Sequence, residues 1–228
     1  THELYIDEDD NLYGEHEWYN GEVRDTWGNY VWCLNSSGKF EITIPEVEGF
    51  LENNTLVRDP QHNTYWAKKY GNHHILFKQT PDGQIYPYCN DKFSDVRWMY
   101  YSEIDNQLYL VDELQIKSVS PTGTVSIIAD DLKEAGAPFN GVADRHYIFG
   151  IWTDNNQNIY AAIYGSGKVI KVDSGKKIKT IFTSENGWSP CGGLISDDGS
   201  IWIMESSKDN VIRITKIGEN GSRTVFDH

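Results

Sequence analysis

Ser189-Pro190-Cys191-Gly192-Gly193-Leu194-Ile195, Ser196-Asp197-Asp198-Gly199 and Ser200-Ile201-Trp202-Ile203-Met204-Glu205 follow one another without a break, and their reading decides the fold. Two short apolar runs flank a cluster of Ser, Asp and Gly, the composition of a tight hairpin turn between strands. Asn210-Val211-Ile212-Arg213-Ile214 and Arg223-Thr224-Val225-Phe226 then read as third and fourth strands around Gly218-Glu219-Asn220-Gly221. The same four-strand reading fits earlier units, the fourth being carried by 148–153, 158–163, 168–172 and 179–182. Trp202 has counterparts in Tyr13, Tyr65, Tyr109 and Tyr160, spaced 42 to 52 residues apart, and the second-turn glycines Gly38, Gly83, Gly123, Gly175 and Gly221 recur every 40 to 52. A period of about 40 to 50 with four short strands per unit is the signature of a β-propeller, because one such sheet cannot bury both faces alone. The expectation is an all-β, single-domain propeller over 1–228 with five recognisable four-stranded blades.

Composition narrows the function classes. Aromatics make up 13% of the 228 residues, with eight tryptophans, which suits stacked sheets whose facing side chains fill a layer about 10 Å thick. The net charge of -14 opposes contact with nucleic acid phosphates, so no nucleic acid partner is expected. No apolar run approaches the length of a membrane helix, and no membrane span is expected. The chain starts at Thr1 and is in strand pattern by Leu4-Tyr5-Ile6, so upstream sequence is expected to have been processed away or left out. Cys33, Cys89 and Cys191 are too few and too scattered for a zinc motif or a disulfide framework, which leaves the compartment open, a periplasmic or secreted one being slightly favoured.

Pro190-x-Gly192, Asp198-Gly199-x-Ile201-Trp202 and Asn210-x-Ile212-Arg213-Ile214 resemble the NHL-type repeat of the SMP-30/gluconolactonase-like and streptogramin-lyase-like propellers. The likeness spans all five units and is strongest in the fourth and fifth. Such families usually have six blades, so this chain either closes with five or lacks an upstream sixth. The resemblance implies a site at one end of the channel, where the starts of the inner strands and the loops after the second strands gather. Long loops are expected at that mouth over 14–29, 86–94 and 129–145, and long loops on a rigid scaffold often carry function.

Three residues beyond the anchors stand His16, Lys68, Asp112, Ile163 and Glu205. An imidazole, an amine and two carboxylates converging on one rim suit acid and base work, because neighbouring opposite charges hold the carboxylates ionised while His titrates near neutrality. The competing reading is that the acids tie down the following turn. Eleven residues before the anchors stand His2, Asn54, Trp98, Phe149 and Cys191. The lactonase-like resemblance implies a divalent metal held on the axis by oxygen donors, to which Asn54 conforms and Phe149 and Cys191 do not. The lyase-like resemblance implies a His, a Glu and a magnesium ion, for which His16 and Glu205 are the candidates.

Trp18, Tyr19, Trp27 and Trp188 fall in mouth loops, where they suit a shallow platform for a sugar or another ring-bearing ligand. His73-His74 reads as part of a surface turn, and Gly165-Ser166-Gly167-Lys168 as a plain loop rather than a phosphate loop. The first functional expectation is a propeller that binds a small molecule, carbohydrate or protein partner at its mouth, without established catalysis. Glu15, Trp18, Lys68, Asp112 and Trp188 are its candidate contacts. The alternative is a hydrolase or lyase using His16 and Glu205, with Ca2+ or Mg2+ held by Asn54 and Glu205.

Overall fold

A computed structural model describes residues 4–6, 11–20, 26–48, 57–130, 132, 148–209 and 211–227. In the first sheet, side-chain surroundings are described only at 11–12 and 32–41. The described residues form five four-stranded antiparallel sheets and no helix. The first holds β1 (Leu4–Ile6), β2 (Leu12–Asn20), β3 (Thr26–Leu34) and β4 (Phe40–Glu48). The second holds β5 (Val57–Arg58), β6 (Thr64–Tyr70), β7 (His73–Gln79) and β8 (Ile85–Pro87). The third holds β9 (Val96–Ser102), β10 (Gln107–Asp112), β11 (Gln115–Val119) and β12 (Val125–Ala129). The fourth runs β13 (Ile148–Thr153), β14 (Ile159–Ile163), β15 (Lys168–Val172) and β16 (Ile178–Thr183), and the fifth β17 (Trp188–Ile195), β18 (Ile201–Ser207), β19 (Ile212–Ile217) and β20 (Arg223–Asp227).

Each sheet pairs its strands in sequence order, so every connection within a sheet is a hairpin and each sheet is one blade. The inner strands pack in succession, β5 on β9, β9 on β13 and β13 on β17. Gly150 and Gly193 permit the last of these approaches. A Cβ on Gly150, which sits at φ +74, would fall 2.9 Å from the Gly192 Cα, and one on Gly193 would fall 2.7 Å from the Trp152 ring.

The repeat anchors have a physical explanation in the turn that precedes them. The Tyr65 hydroxyl donates to Asp59 at 2.8 Å, that of Tyr109 to Asp105 at 2.6 Å and that of Tyr160 to Asp154 at 2.9 Å, while the Trp202 Nε1–H donates to the Ser196 hydroxyl at 3.0 Å. In the fourth sheet the same Asp154 carboxylate accepts from the backbone N–H groups of Asn156 and Asn158 and from the Asn158 amide. The turn acid thus closes its own hairpin and fixes the polar tip of a core aromatic, which explains why an acid or Ser and an aromatic recur together.

These aromatics face the sheet that follows. Tyr65 joins a core with Met99 and Leu108 of the third sheet, Tyr109 one with Ile159 and Ala161 of the fourth, and Tyr160 one with Ile203 of the fifth. Trp202 stacks on Phe226 of its own sheet at 5.8 Å and stays half-buried.

Two expectations are corrected. The stretch 14–29 is not a loop: β2 and β3 run nine residues each, with His16 opposite Tyr30, Trp18 opposite Gly28 and Asn20 opposite Thr26. Strand pairing continues along this aromatic-rich hairpin beyond the length seen in the other sheets, and 21–25 lies outside the described residues. His73-His74 opens β7 instead of forming a surface turn. His74 is fully buried, because its backbone bridges to Phe93 and its Nδ1 accepts from the Val96 N–H at 3.3 Å. The segment 133–147, most of the long connection expected before β13, lies outside the described residues.

Candidate functional site

The best-described candidate cluster lies where the fourth and fifth sheets meet. Glu205, near the end of β18, stands directly opposite Arg213 on β19. The carboxylate is fully buried, and both its oxygens are engaged. Oε1 accepts from Arg213 Nη2 at 3.1 Å, and Oε2 accepts from Arg213 Nε at 3.0 Å and from the Thr215 hydroxyl at 2.7 Å. The remaining guanidinium nitrogen, Nη1, donates to the exposed Glu185 at 3.1 Å. The Trp188 ring lies over the guanidinium with its centroid at 4.2 Å, a geometry in which the ring face attracts the cation. A strand register that opposes Glu205 and Arg213 therefore produces a forked ion pair, and the guanidinium of that pair lies against the Trp188 ring.

A second aromatic pair stands on the fourth sheet. Phe149 and Tyr164 stand with ring centroids 4.7 Å apart, and the Tyr164 hydroxyl lies 3.3 Å from that of Ser206. Cys191 is half-buried, its thiol donates to the Met204 carbonyl, and burial pushes its pKa up to about 11, so a thiolate is disfavoured.

Asp112 and Lys68 make their described contacts elsewhere. Asp112 is buried at the end of β10, where it accepts from the backbone N–H of Asp95 at 2.7 Å and from Lys117 at 2.5 Å. It ties its strand to the segment entering β9 and to β11, a different tie from the following turn that the sequence suggested. Lys68 is half-buried on β6, with its ammonium 5.6 Å from the Tyr70 ring centroid. The side chains of Glu15, His16 and Trp18, and Asn54 altogether, lie outside the described residues, and the pairing of His16 with Glu205 lies there too.

Sequence reasoning passed over Arg213 and Glu185, although a basic residue eight positions after an acid across a hairpin signals a cross-strand pair. Glu205 does not fit a divalent cation as it stands, since a guanidinium and a hydroxyl already occupy its oxygens. Among the described residues, no three His, Cys, Asp or Glu side chains gather so as to hold a metal ion.

No family model matches the chain, and no curated protein matches it in sequence. Solved structures do. Virginiamycin B lyase from Staphylococcus aureus is similar over 99% of this chain and 69% of its own, at TM-score 0.64 and 15% identity. A putative gluconolactonase is similar over 93% of this chain and 80% of its own, at TM-score 0.57 and 13% identity.

The chain shares the β-propeller fold of these structures.

A chain of a nidogen/laminin complex shares the propeller too, over 94% of this chain and 79% of its own, at TM-score 0.60 and 12% identity. Identities this low show the fold and leave the activity to the site. No helix among the described residues of this propeller is long and apolar enough to cross a membrane.

Proposed function

We propose that the propeller is a binding module that takes a ring-bearing small molecule or carbohydrate at its mouth. The observation that carries this reading is the state of Glu205, whose oxygens are spent on Arg213 and Thr215 while Trp188 is held over the guanidinium. An acid or base in a reaction needs an oxygen that reaches the substrate, whereas a stacking platform needs a fixed aromatic face, and the rim supports the second requirement. Tyr164 and Phe149 extend that face, and Glu15, Trp18 and Lys68 are further proposed contacts. The net charge of -14 argues against nucleic acid as the ligand.

A carbohydrate array probed with the intact chain tests the proposal. Binding to at least one ring-bearing member, lost in Trp188→Ala at unchanged melting temperature, is the expected result. Equal binding by Trp188→Ala, or no binding to any member, overturns it. The second reading, a hydrolase or lyase using His16 and Glu205 with Ca2+ or Mg2+ at Asn54 and Glu205, draws support from the lyase and lactonase named among the similar structures. It requires Glu205 to leave Arg213. Lactone hydrolysis that depends on added calcium and vanishes in His16→Ala would favour it over binding alone.

A further inference from the structure

The same two sheets enclose a second feature at the end away from the mouth. A cleft of about 380 Å³ lies between β14, β15, β16 and the β15–β16 turn of the fourth sheet and the start of β18. Its walls carry three ammonium groups, those of Lys171, Lys177 and Lys179, against a single carboxylate, Asp173. That local excess of positive charge stands in a chain with 34 acids and 20 bases.

The arrangement is not what sheet stability alone selects. Lys171 and Lys179 are directly opposed on β15 and β16, and Tyr160 is opposed to Lys171 on β14. Like charges at directly opposed positions repel and weaken the sheet. Lys171 reaches Asp154 only at 3.8 Å, and that carboxylate already accepts from Asn158 and from Tyr160. Lys177 and Lys179 have no ion-pair partner among the described residues. An anion bridging the ammonium groups would turn the repulsion into attraction.

We propose that this cleft binds a tetrahedral oxyanion, the phosphate or sulfate group of a small soluble ligand. Lysines act as flexible point charges that gather round such a group, whereas a planar carboxylate is matched by the fork of an arginine, and no arginine lines the cleft. Ile181, Ile201 and the Tyr160 ring offer an apolar wall to the organic part of the ligand. A free solute fits better than an anionic lipid surface, because the net charge of the chain repels an extended array of negative charge while a small ion enters the cleft.

The test is calorimetric titration of the intact chain with inorganic phosphate, sulfate and pyrophosphate at fixed ionic strength, with chloride as the reference. Saturable binding of pyrophosphate is expected, weakened at least tenfold in the Lys171→Gln, Lys179→Gln double variant and unchanged in Lys92→Gln, which lies in the connection between the second and third sheets. Lys177→Gln, in an exposed turn, should weaken binding severalfold and serves if the double variant fails to fold, which circular dichroism detects. Absence of saturable binding by the unaltered chain, or equal affinity in the folded lysine variants, overturns the proposal. Association with phosphatidylserine vesicles without any binding of pyrophosphate overturns the assignment to a soluble ligand.

Discussion

Three residues past its anchor aromatic, the fourth sheet carries Ile163 and the fifth carries Glu205, and both side chains are fully buried. Ile163 joins an apolar cluster with Ile116, Ile148 and Ile170, where removal from water is itself favourable. Glu205 reaches the same degree of burial only because Arg213 and Thr215 engage both oxygens. Asp112 of the third sheet follows the ionic solution with Lys117. The third, fourth and fifth sheets therefore share burial at this position and differ in its chemistry, while Lys68 of the second sheet stays half-buried. A buried ion pair there is one way of closing the sheet, and it is weak grounds for assigning catalysis.

The two sheets also differ in what covers them. The fourth is packed between the third and fifth, whereas the fifth exposes Leu194, Met204, Ile212 and Phe226 on its other face. Tyr160→Ala should therefore cost about 3–5 kcal/mol, the range for a large buried aromatic, and Trp202→Ala about 1–3 kcal/mol. Urea unfolding measures both, and equal losses would show that the neighbouring sheet does not set the difference.

A smaller effect is expected at the turn acid of the fourth sheet. Burial pushes the Asp154 carboxyl up, but hydrogen bonds from Asn158, Tyr160 and the backbone of Asn156 outweigh it and hold the pKa below the usual range. With the folded-state value below the unfolded one of about 3.9, its contribution is complete above that pH and is lost as pH falls through the folded value. Asp154→Asn should cost about 1.5–3 kcal/mol at neutral pH and little in strong acid. Unfolding curves at pH 7 and pH 2 check the sign, and an equal loss at both would contradict it. The fifth-sheet acid Asp198 is also held low, chiefly by the Ser196 hydroxyl, but it is fully exposed, so solvent screening should make Asp198→Asn the milder change.

The smallest difference lies two residues before the second strand. The fourth-sheet turn places Gln157 at φ 60 where the fifth-sheet turn has Gly199 at φ 75. A left-handed conformation is strained for Gln and free for Gly, so Gln157→Gly should raise stability by about 0.5 kcal/mol. A fall in melting temperature would mean that the Gln157 side chain contributes more than its backbone costs.

Much of this fold is legible in the sequence because its signals are local. Turn residues and β-forming runs place β13 to β20 within a residue or two, except that β19 runs three residues beyond its expected end, and the aromatic period identifies the blades. The length of the β2–β3 hairpin is not legible, since a polar, aromatic run reads equally as loop or as strand until its partner is known. His74 misled for a related reason: the contact that buries it comes from Phe93, far along the chain. At the site, Trp188 reads as a loop aromatic and instead opens β17 opposite Ser207. The engagement of Glu205 by Arg213 and the opposition of Lys171 to Lys179 depend on strand register, which composition does not reveal.

A double-mutant cycle on Glu205 and Arg213 tests most directly whether this pair is a structural tie that supports a binding surface. Glu205→Met alone should destabilise by about 3–5 kcal/mol, because it strands a buried guanidinium, and the Glu205→Met, Arg213→Met double variant should recover most of that loss by adopting the apolar solution of the fourth sheet. A Glu205→Met protein as stable as the unaltered chain, or a double variant no better than the single, would contradict the account.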